Sequence, residues 1–289
     1  MRRACIDIGS NTTRLLVADC NGRGLREVHQ ERVFTRLSQG LLMGGGISEV
    51  KIAEVATVVA GQLSVARALG ATKIMALATA AIRRASNRDE LSAAIRAVCG
   101  LEITVLTEQE EARLAFIGVA GALERSPGGA LGVVDVGGGS AEMIVGYVPD
   151  SVDWSRSVAV GSGDLADAFL QSDPPSGSEL GRARQHVAQA FADIEVPRTC
   201  TAVAVGGSAT SLRRLAGDVL DEGVFSRTLE LLGTTTQAEV GRRFGLDRER
   251  VRLLPGGLLI LQAAAARFGA ALQIGRGGMR EGALLEAAG

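Results

Sequence analysis

An apolar strand that ends in an aspartate and a glycine turn occurs twice in this sequence of 289 residues. The first copy reads RRACIDIGSNTTRLLVAD, and the second reads LGVVDVGGGSAEMIVGY. In each copy the aspartate, Asp7 or Asp135, closes a run of aliphatic residues, and glycine follows where the backbone must turn sharply. Because two related hairpins imply two related units, we expect an N-terminal domain over residues 1–122 and a C-terminal domain over residues 123–289.

The order of strand and helix patterns predicts an α/β fold with mixed, partly parallel sheets and helices on their faces. After a third strand and a Gly-rich loop, Ser48 is the expected N-cap of a long helix. A later helix opens on a capping box in which Thr107 is the N-cap and Glu110 reaches back to it. The segment ERSPGG interrupts that helix, and we place the domain boundary there. The final helix, MREGALLEAA, is assigned to the second domain.

Both turns carry groups that suit a phosphate accompanied by a divalent cation. Successive backbone N–H groups bind anions, and carboxylate and hydroxyl oxygens suit hard cations. The hydroxyls are Ser10, Thr12 and Thr13 in the first turn and Ser140 in the second. A single copy would be read as an ordinary Gly-rich hairpin. Its recurrence favours a phosphate cleft between two lobes.

Composition excludes several classes of partner. A formal charge of −1 gives no overall attraction for nucleic acids, and 3% aromatic residues offer few stacking platforms for bases. The four cysteines are scattered, which indicates a reduced cytoplasmic protein. We expect no signal peptide and no apolar run of membrane-spanning length. P-loop and dinucleotide-binding glycine motifs are missing from the sequence, and two histidines are too few for a histidine-based triad.

The hairpins resemble the phosphate-binding hairpins of the actin-like ATPase superfamily. The string E-E-A-R-L at Glu110–Leu114 resembles the catalytic motif of the exopolyphosphatase and guanosine pentaphosphate phosphohydrolase family. This resemblance implies two actin-like (ribonuclease H-like) domains with mixed five-stranded sheets and an active-site cleft between them. It also implies metal-dependent hydrolysis of the terminal phosphoanhydride of inorganic polyphosphate, including short chains, or of guanosine pentaphosphate. A homodimer that binds no nucleic acid and no membrane is expected. A non-catalytic guanosine tetraphosphate sensor and an actin-like ATP-dependent kinase stay as alternatives.

The same resemblance assigns roles to individual residues. Glu110 is already explained by the capping box, and adjacent helical residues point about 100° apart, so the motif selects Glu111 as the general base. The expected catalytic residues are Glu111, Asp135 and Arg83. The expected ligands of Mg²⁺, or of another divalent cation, are Asp7, Asp135 and Glu142; a monovalent cation stays an open possibility. The expected phosphate-binding residues are Gly9, Ser10, Asn11, Thr12, Arg14, Gly137, Gly138, Gly139, Ser140, Gly206, Gly207 and Ser208.

Two positions depart from the family pattern. Ala141 stands where the family usually has threonine, so one hydroxyl donor is missing. Arg84 stands where the family commonly carries an acidic residue, and it either attracts an anionic substrate or faces solvent.

Overall fold

The computed structural model describes residues 1–21, 24–37 and 45–288. Its strands are β1 (Arg2–Ile8), β2 (Thr13–Asn21), β3 (Gly24–Val33), β4 (Lys73–Ala78), β5 (Ile103–Val105), β6 (Leu131–Val136), β7 (Ala141–Tyr147), β8 (Ser151–Val158), β9 (Thr201–Val205), β10 (Val219–Leu220) and β11 (Leu272–Ile274). Its helices are α1 (Glu49–Ala68), α2 (Ala80–Arg84), α3 (Arg88–Cys99), α4 (Glu108–Ala122), α5 (Ser162–Phe169), α6 (Gly177–Ala190), α7 (Gly206–Ala216), α8 (Glu222–Thr234), α9 (Gln237–Phe244), α10 (Arg248–Phe268) and α11 (Met279–Glu286).

Contacts divide the chain into two compact units. The first comprises Met1–Gly121 together with Gly277–Gly289, and the second comprises Ala122–Arg276. The division after residue 121 lies next to the expected boundary. The structure differs from the expectation for residues 277–289, because α11 packs against β1, β2 and β3 of the first unit. The sequence pattern predicts this helix but does not contain the information on which sheet it covers.

The first unit contains a five-stranded sheet in the order β3-β2-β1-β4-β5, which confirms the expected mixed sheet. Strand β1 is antiparallel to β2 and parallel to β4, and β4 is parallel to β5. The alternate residues Ala4, Ile6 and Ile8 are fully buried in a core cluster that also contains residues of α1 and α3. Because β1, β4 and β5 are parallel, the residues that follow them gather at one edge of the sheet.

The sheet of the second unit has six strands in the order β10-β11-β9-β6-β7-β8, so the expected count of five is wrong here. The additional edge strand, β10, has two residues, which is too short for the period-2 pattern that reveals a strand in sequence. The expectations also omitted β8, α5 and α8. As in the first unit, the strand of the hairpin, β6, pairs antiparallel with the next strand and parallel with β9.

Helix α10 corrects one expectation about apolar segments. The helix has 21 residues and is long and apolar enough, by length and composition, to cross a membrane. Of its most apolar 18-residue window, 67% is buried within the protein, and the helix contacts α5, α6, α7 and α8. It is therefore the central core helix of the second unit. Pro255 lies inside this helix.

Local capping follows the sequence closely. The Ser48 hydroxyl accepts a hydrogen bond from the Lys51 N–H at 3.4 Å. The Thr107 N–H donates to Glu110 Oε2 at 2.7 Å, and the Glu110 N–H donates to Thr107 Oγ1 at 3.2 Å, which confirms the capping box. Part of the predicted Gly-rich loop, residues 38–44, lies outside the described residues.

Candidate active site

The first hairpin turn is a compact polar loop, Gly9–Thr12, between β1 and β2. The Gly9 N–H donates to the Thr12 carbonyl at 3.0 Å and closes the turn. Ser10, Asn11 and Thr12 are buried, although they are polar residues. Arg14 Nε donates to Thr12 Oγ1 at 3.1 Å, so this guanidinium lies against the turn. The sequence-predicted residues of the first turn therefore form one cluster.

Asp7 is the buried carboxyl group next to this turn. It lies directly opposite Arg14 in the β1–β2 register, so the two side chains share a face of the sheet. Burial raises the pKa of Asp7, whereas the positive charges of Arg14 and Arg280 oppose that shift and the negative charge of Glu281 adds to it. The α11 residues Arg280 and Glu281, which the sequence analysis did not select, thus belong to the surroundings of Asp7.

Arg83 and Glu111 form an ion pair near the same sheet edge. Helix α2 follows β4 and α4 follows β5, so the parallel strands bring the two side chains together. Arg83 Nη1 donates to Glu111 Oε2 at 2.9 Å and to the Leu106 carbonyl at 2.8 Å. The side chain of Glu111 is 11% exposed and that of Arg83 is 18% exposed. Glu110 is exposed and occupied by the capping box, whereas Glu111 is held in one orientation by an arginine.

The second hairpin repeats the first turn with a different partner for its aspartate. The Gly137 N–H donates to the Ser140 carbonyl at 2.9 Å, in the same way as Gly9 and Thr12. Asp135, however, lies opposite Glu142 in the β6–β7 register. Two carboxyl groups therefore share one face of the sheet, about 5 Å apart at their Cβ atoms. Glu142 is buried, and its Oε1 accepts a hydrogen bond from Ser157 Oγ at 3.1 Å.

Helix α5 holds the second turn from behind. The Gly138 carbonyl accepts hydrogen bonds from the Gly163 N–H at 2.9 Å and the Asp164 N–H at 3.1 Å. The backbone of Gly161 approaches so closely that an added Cβ would lie 2.1 Å from the Gly138 oxygen. The conformation of Gly137–Ser140 consequently depends on a helix that the sequence analysis missed.

The third glycine loop begins α7 directly after β9. Gly206 has φ +88°, and a Cβ at this position would lie 2.4 Å from Asp135 Oδ1. The parallel pairing of β6 and β9, with Asp135 opposite Val205, brings the loop beside Asp135. Ser208 is buried behind it. The structure thus gathers the expected site residues of the second unit at one end of β6.

Arg250, which the sequence analysis did not select, lies against the third glycine loop. It is 5% exposed, and its guanidinium packs so tightly on Gly207 that an added Cβ would meet Nη1 at 2.5 Å. This places a buried positive charge against the third glycine loop. In a sequence whose basic residues are mostly arginine, nothing distinguishes Arg250 until α10 has been packed against α7.

The carboxyl groups do not form a complete metal cage. Over the described ranges, no group of three or more His, Cys, Asp or Glu residues could hold a metal ion. Of the three expected ligands, Asp135 and Glu142 face each other across two strands, whereas Asp7 belongs to the first unit and lies opposite an arginine. Carboxylate oxygens are suitable ligands for Mg²⁺, which commonly keeps several waters and takes one or two protein carboxylates.

The model of the Ppx/GppA phosphatase family matches residues 16–289 of this chain. The chain belongs to the Ppx/GppA phosphatase family. Exopolyphosphatase 2 of Mycobacterium tuberculosis is 35% identical over 228 residues, which cover 74% of this chain and 70% of that protein. The guanosine-5'-triphosphate,3'-diphosphate pyrophosphatase of Pseudoalteromonas translucida is 26% identical over 98% of this chain and 57% of its own length.

A solved structure supports the same assignment. The crystal structure of the Aquifex aeolicus member of the Ppx/GppA family is 28% identical and superposes with a TM-score of 0.81, over 99% of this chain and 97% of that one. The likeness extends over almost the whole chain, so it spans both hairpins. This Ppx/GppA member therefore has the two-sheet α/β fold that its sequence predicted, with six strands instead of five in the second sheet.

Proposed function

We propose that this chain is an exopolyphosphatase that hydrolyses the terminal phosphoanhydride of inorganic polyphosphate and releases orthophosphate. The observation that carries the proposal is the orientation of Glu111 by Arg83 near the sheet edge that bears the Gly9–Thr12 turn. A carboxylate held in a fixed direction beside a phosphate-binding turn has the arrangement needed to accept a proton from an attacking water. Membership of the Ppx/GppA family and the likeness to an exopolyphosphatase support this function.

In the proposed reaction, Glu111 accepts a proton from water as the water oxygen bonds to the terminal phosphorus. The bond from that phosphorus to the bridging oxygen breaks, the shortened chain leaves as an anion, and the proton returns to solvent. Within each unit, the backbone N–H groups of the hairpin turn, residues 9–12 or 137–140, are proposed to bind phosphate oxygens. Arg14 offsets charge on these oxygens, and Arg83 keeps Glu111 in position.

The third glycine loop, residues 206–208, is proposed as a further phosphate contact. It opens a helix of eleven residues, and free N–H groups at helix N-termini bind anions. The buried guanidinium of Arg250 behind Gly207 adds positive charge to this loop. We propose that Asp135 contributes to catalysis by holding this loop in position, because Gly206 packs closely against Asp135 Oδ1.

The cation proposal rests on the difference between the two hairpins. Asp7 lies opposite Arg14 in the first hairpin, whereas Asp135 lies opposite Glu142 in the second, so two carboxyl groups share one face of the second sheet. In the second unit, Asp135 and Glu142 are proposed as ligands of a divalent cation, and in the first unit Asp7 is proposed as a cation ligand. We propose that the divalent cation is Mg²⁺, which would neutralise charge on the phosphate oxygens when bound. A monovalent cation could bind in addition.

Guanosine pentaphosphate is the second candidate substrate, because a relative that matches 98% of this chain is named for that activity. Both substrates end in the same phosphoanhydride. Phosphate release from polyphosphate, guanosine pentaphosphate and ATP, measured side by side with and without Mg²⁺, separates them. Release only from guanosine pentaphosphate would replace our proposal, tight guanosine tetraphosphate binding without turnover would indicate a sensor, and ATP-dependent sugar phosphorylation would indicate a kinase.

We further propose that the protein works in the cytoplasm as a homodimer, without nucleic-acid or membrane partners. The formal charge of −1 and the absence of disulfides among the four free cysteines support this setting. Light scattering coupled to size-exclusion chromatography tests the dimer directly. A monomeric mass at micromolar concentration would contradict it.

A further inference from the structure

Arg36 has a backbone conformation that arginine disfavours. Within the described ranges, it is the one residue other than glycine with positive φ, at +46°. The left-handed region brings the Cβ of an L-residue too close to the backbone, so chains usually place glycine there. Such conformations persist where the surroundings over-determine them, and they concentrate at binding and catalytic sites. The presence of an arginine at this position therefore needs a reason.

The neighbouring residues fix the backbone on both sides of Arg36. Thr35 is fully buried, its hydroxyl lies 3.1 Å from that of Thr13, and its carbonyl accepts from Lys51 Nζ at 2.9 Å. Leu37 is fully buried in the core of the first unit. Both neighbours of Arg36 are therefore anchored in the first unit.

The same turn connects Arg36 to the first hairpin. The Arg36 N–H donates to the Asn11 carbonyl at 3.0 Å, and Asn11 is the central part of the Gly9–Thr12 turn. The side chain of Arg36 is partly exposed, whereas Thr35 and Leu37 are buried. The backbone of Arg36 is thus held beside Asn11, which brings the candidate phosphate turn within the reach of an arginine side chain.

We propose that Arg36 is a substrate-binding residue that holds a phosphate group of the polyanion other than the one being cleaved. The inference rests on the proposed function of this turn. If the backbone shape were the only requirement, glycine would provide it without strain. Arginine at a left-handed position costs backbone strain, but it provides a planar set of N–H donors that matches phosphate oxygens.

The decisive variant is Arg36→Gly, because it removes the guanidinium while it suits the observed φ. We expect its thermal midpoint to equal or exceed that of Arg36→Ala, which removes the same group but keeps the strain. Both variants should raise KM for polyphosphate by about 10-fold or more, the usual effect of one lost hydrogen bond to a charged group, with kcat changed far less. Arg26→Ala is the matched control, since Arg26 lies near the opposite end of β3 and is 77% exposed.

Affinity for polyphosphate, measured separately from hydrolysis, distinguishes failure of this inference from failure of the proposed function. If the wild type binds polyphosphate without hydrolysis, the enzymatic proposal fails, and weaker binding by Arg36→Gly would still support a role for Arg36. A folded Arg36→Gly variant with wild-type KM and affinity would overturn the inference, as would a wild type that does not bind polyphosphate. Should Arg36→Gly unfold, Arg36→Lys keeps the charge but loses the fork, and unchanged KM for that variant would also overturn it.

Discussion

Replacement of Glu111 by glutamine tests the proposed mechanism most directly. Glutamine keeps the size of the side chain and an oxygen that can accept from Arg83 Nη1, now 2.9 Å from Glu111 Oε2, but it cannot take a proton from water. We expect Glu111→Gln to fold and to bind polyphosphate. We expect hydrolysis to slow by about 10² to 10⁴, the range found for general-base catalysis.

The expected losses of rate and of stability can both be expressed as free energies. A loss of 10² to 10⁴ in rate corresponds to about 2.7 to 5.4 kcal/mol of activation free energy. The stability change is smaller, because the side chain of Glu111 is mostly buried and the Arg83 contact becomes a neutral hydrogen bond instead of disappearing. The difference between charged and neutral hydrogen bonds is about 1 kcal/mol. That would lower the thermal midpoint by a few degrees, about 2 to 4 °C.

Two neighbouring glutamates in the same helical turn provide matched controls. Glu108 is 60% exposed and lies 3.9 Å from Arg83 Nη2, and Glu110 belongs to the capping box. Glu108→Gln should leave kcat unchanged. Glu110→Gln should also leave kcat unchanged, because glutamine is accepted at this place in a capping box.

Steady-state phosphate release at saturating polyphosphate gives kcat, and thermal unfolding reports the fold. If Glu111→Gln retains more than a third of the wild-type kcat, Glu111 is not the base. If Glu110→Gln loses activity to the same extent as Glu111→Gln while remaining folded, the assignment by orientation is also refuted.

Further predictions concern stability and the second unit. Because burial raises the pKa of Asp7, its charge is unfavourable in the folded state, so Asp7→Asn should raise the thermal midpoint at pH 7 in metal-free buffer while activity falls. The stability gain should shrink as pH approaches 3.8, and a lower midpoint at pH 7 would contradict it. Gly206→Ala should displace Asp135 and reduce activity. The control is Gly128→Ala, at φ +69° with open space around it, which should lower the free energy of unfolding only by backbone strain of about 1 to 2 kcal/mol. Hydrogen bonds from Ser176 hold the pKa of Glu179 at about 2. The stability advantage of the wild type over Glu179→Gln should therefore be full above pH 4.5 and be lost as the pH falls towards 2. A stability difference that does not depend on pH would refute this.

Much of the fold could be predicted from sequence because its signals are local. The β1–β2 hairpin, the helix capped by Ser48 and the capping box at Thr107 each depend on residues within one turn or two strands of each other. Strand β10 has only two residues, too few to show a period, so it was missed. The position of α11 was also missed, because its contacts with β1 and β2 join residues more than 250 positions apart.

The candidate site divides in the same way. Repetition in the sequence selected both turns, and the motif around Glu111 selected the base. The structure added the partners that act on them: Arg83 beside Glu111, Glu142 opposite Asp135, and Arg280 near Asp7. Arg250 and Arg36 could not be distinguished from other arginines by sequence, because their significance depends on what they pack against.

The sequence alone determined where the two glycine turns lie, where the helices capped by Ser48 and Thr107 begin, and which polar groups follow the apolar strands, because these depend on backbone preferences and nearby side chains. Tertiary structure decided which charge faces which. Asp7 meets an arginine across its strand pair and Asp135 meets a glutamate, although the two hairpins share one pattern. Burial decides how strongly such neighbours act, since a charge removed from water responds to the groups around it far more than an exposed one.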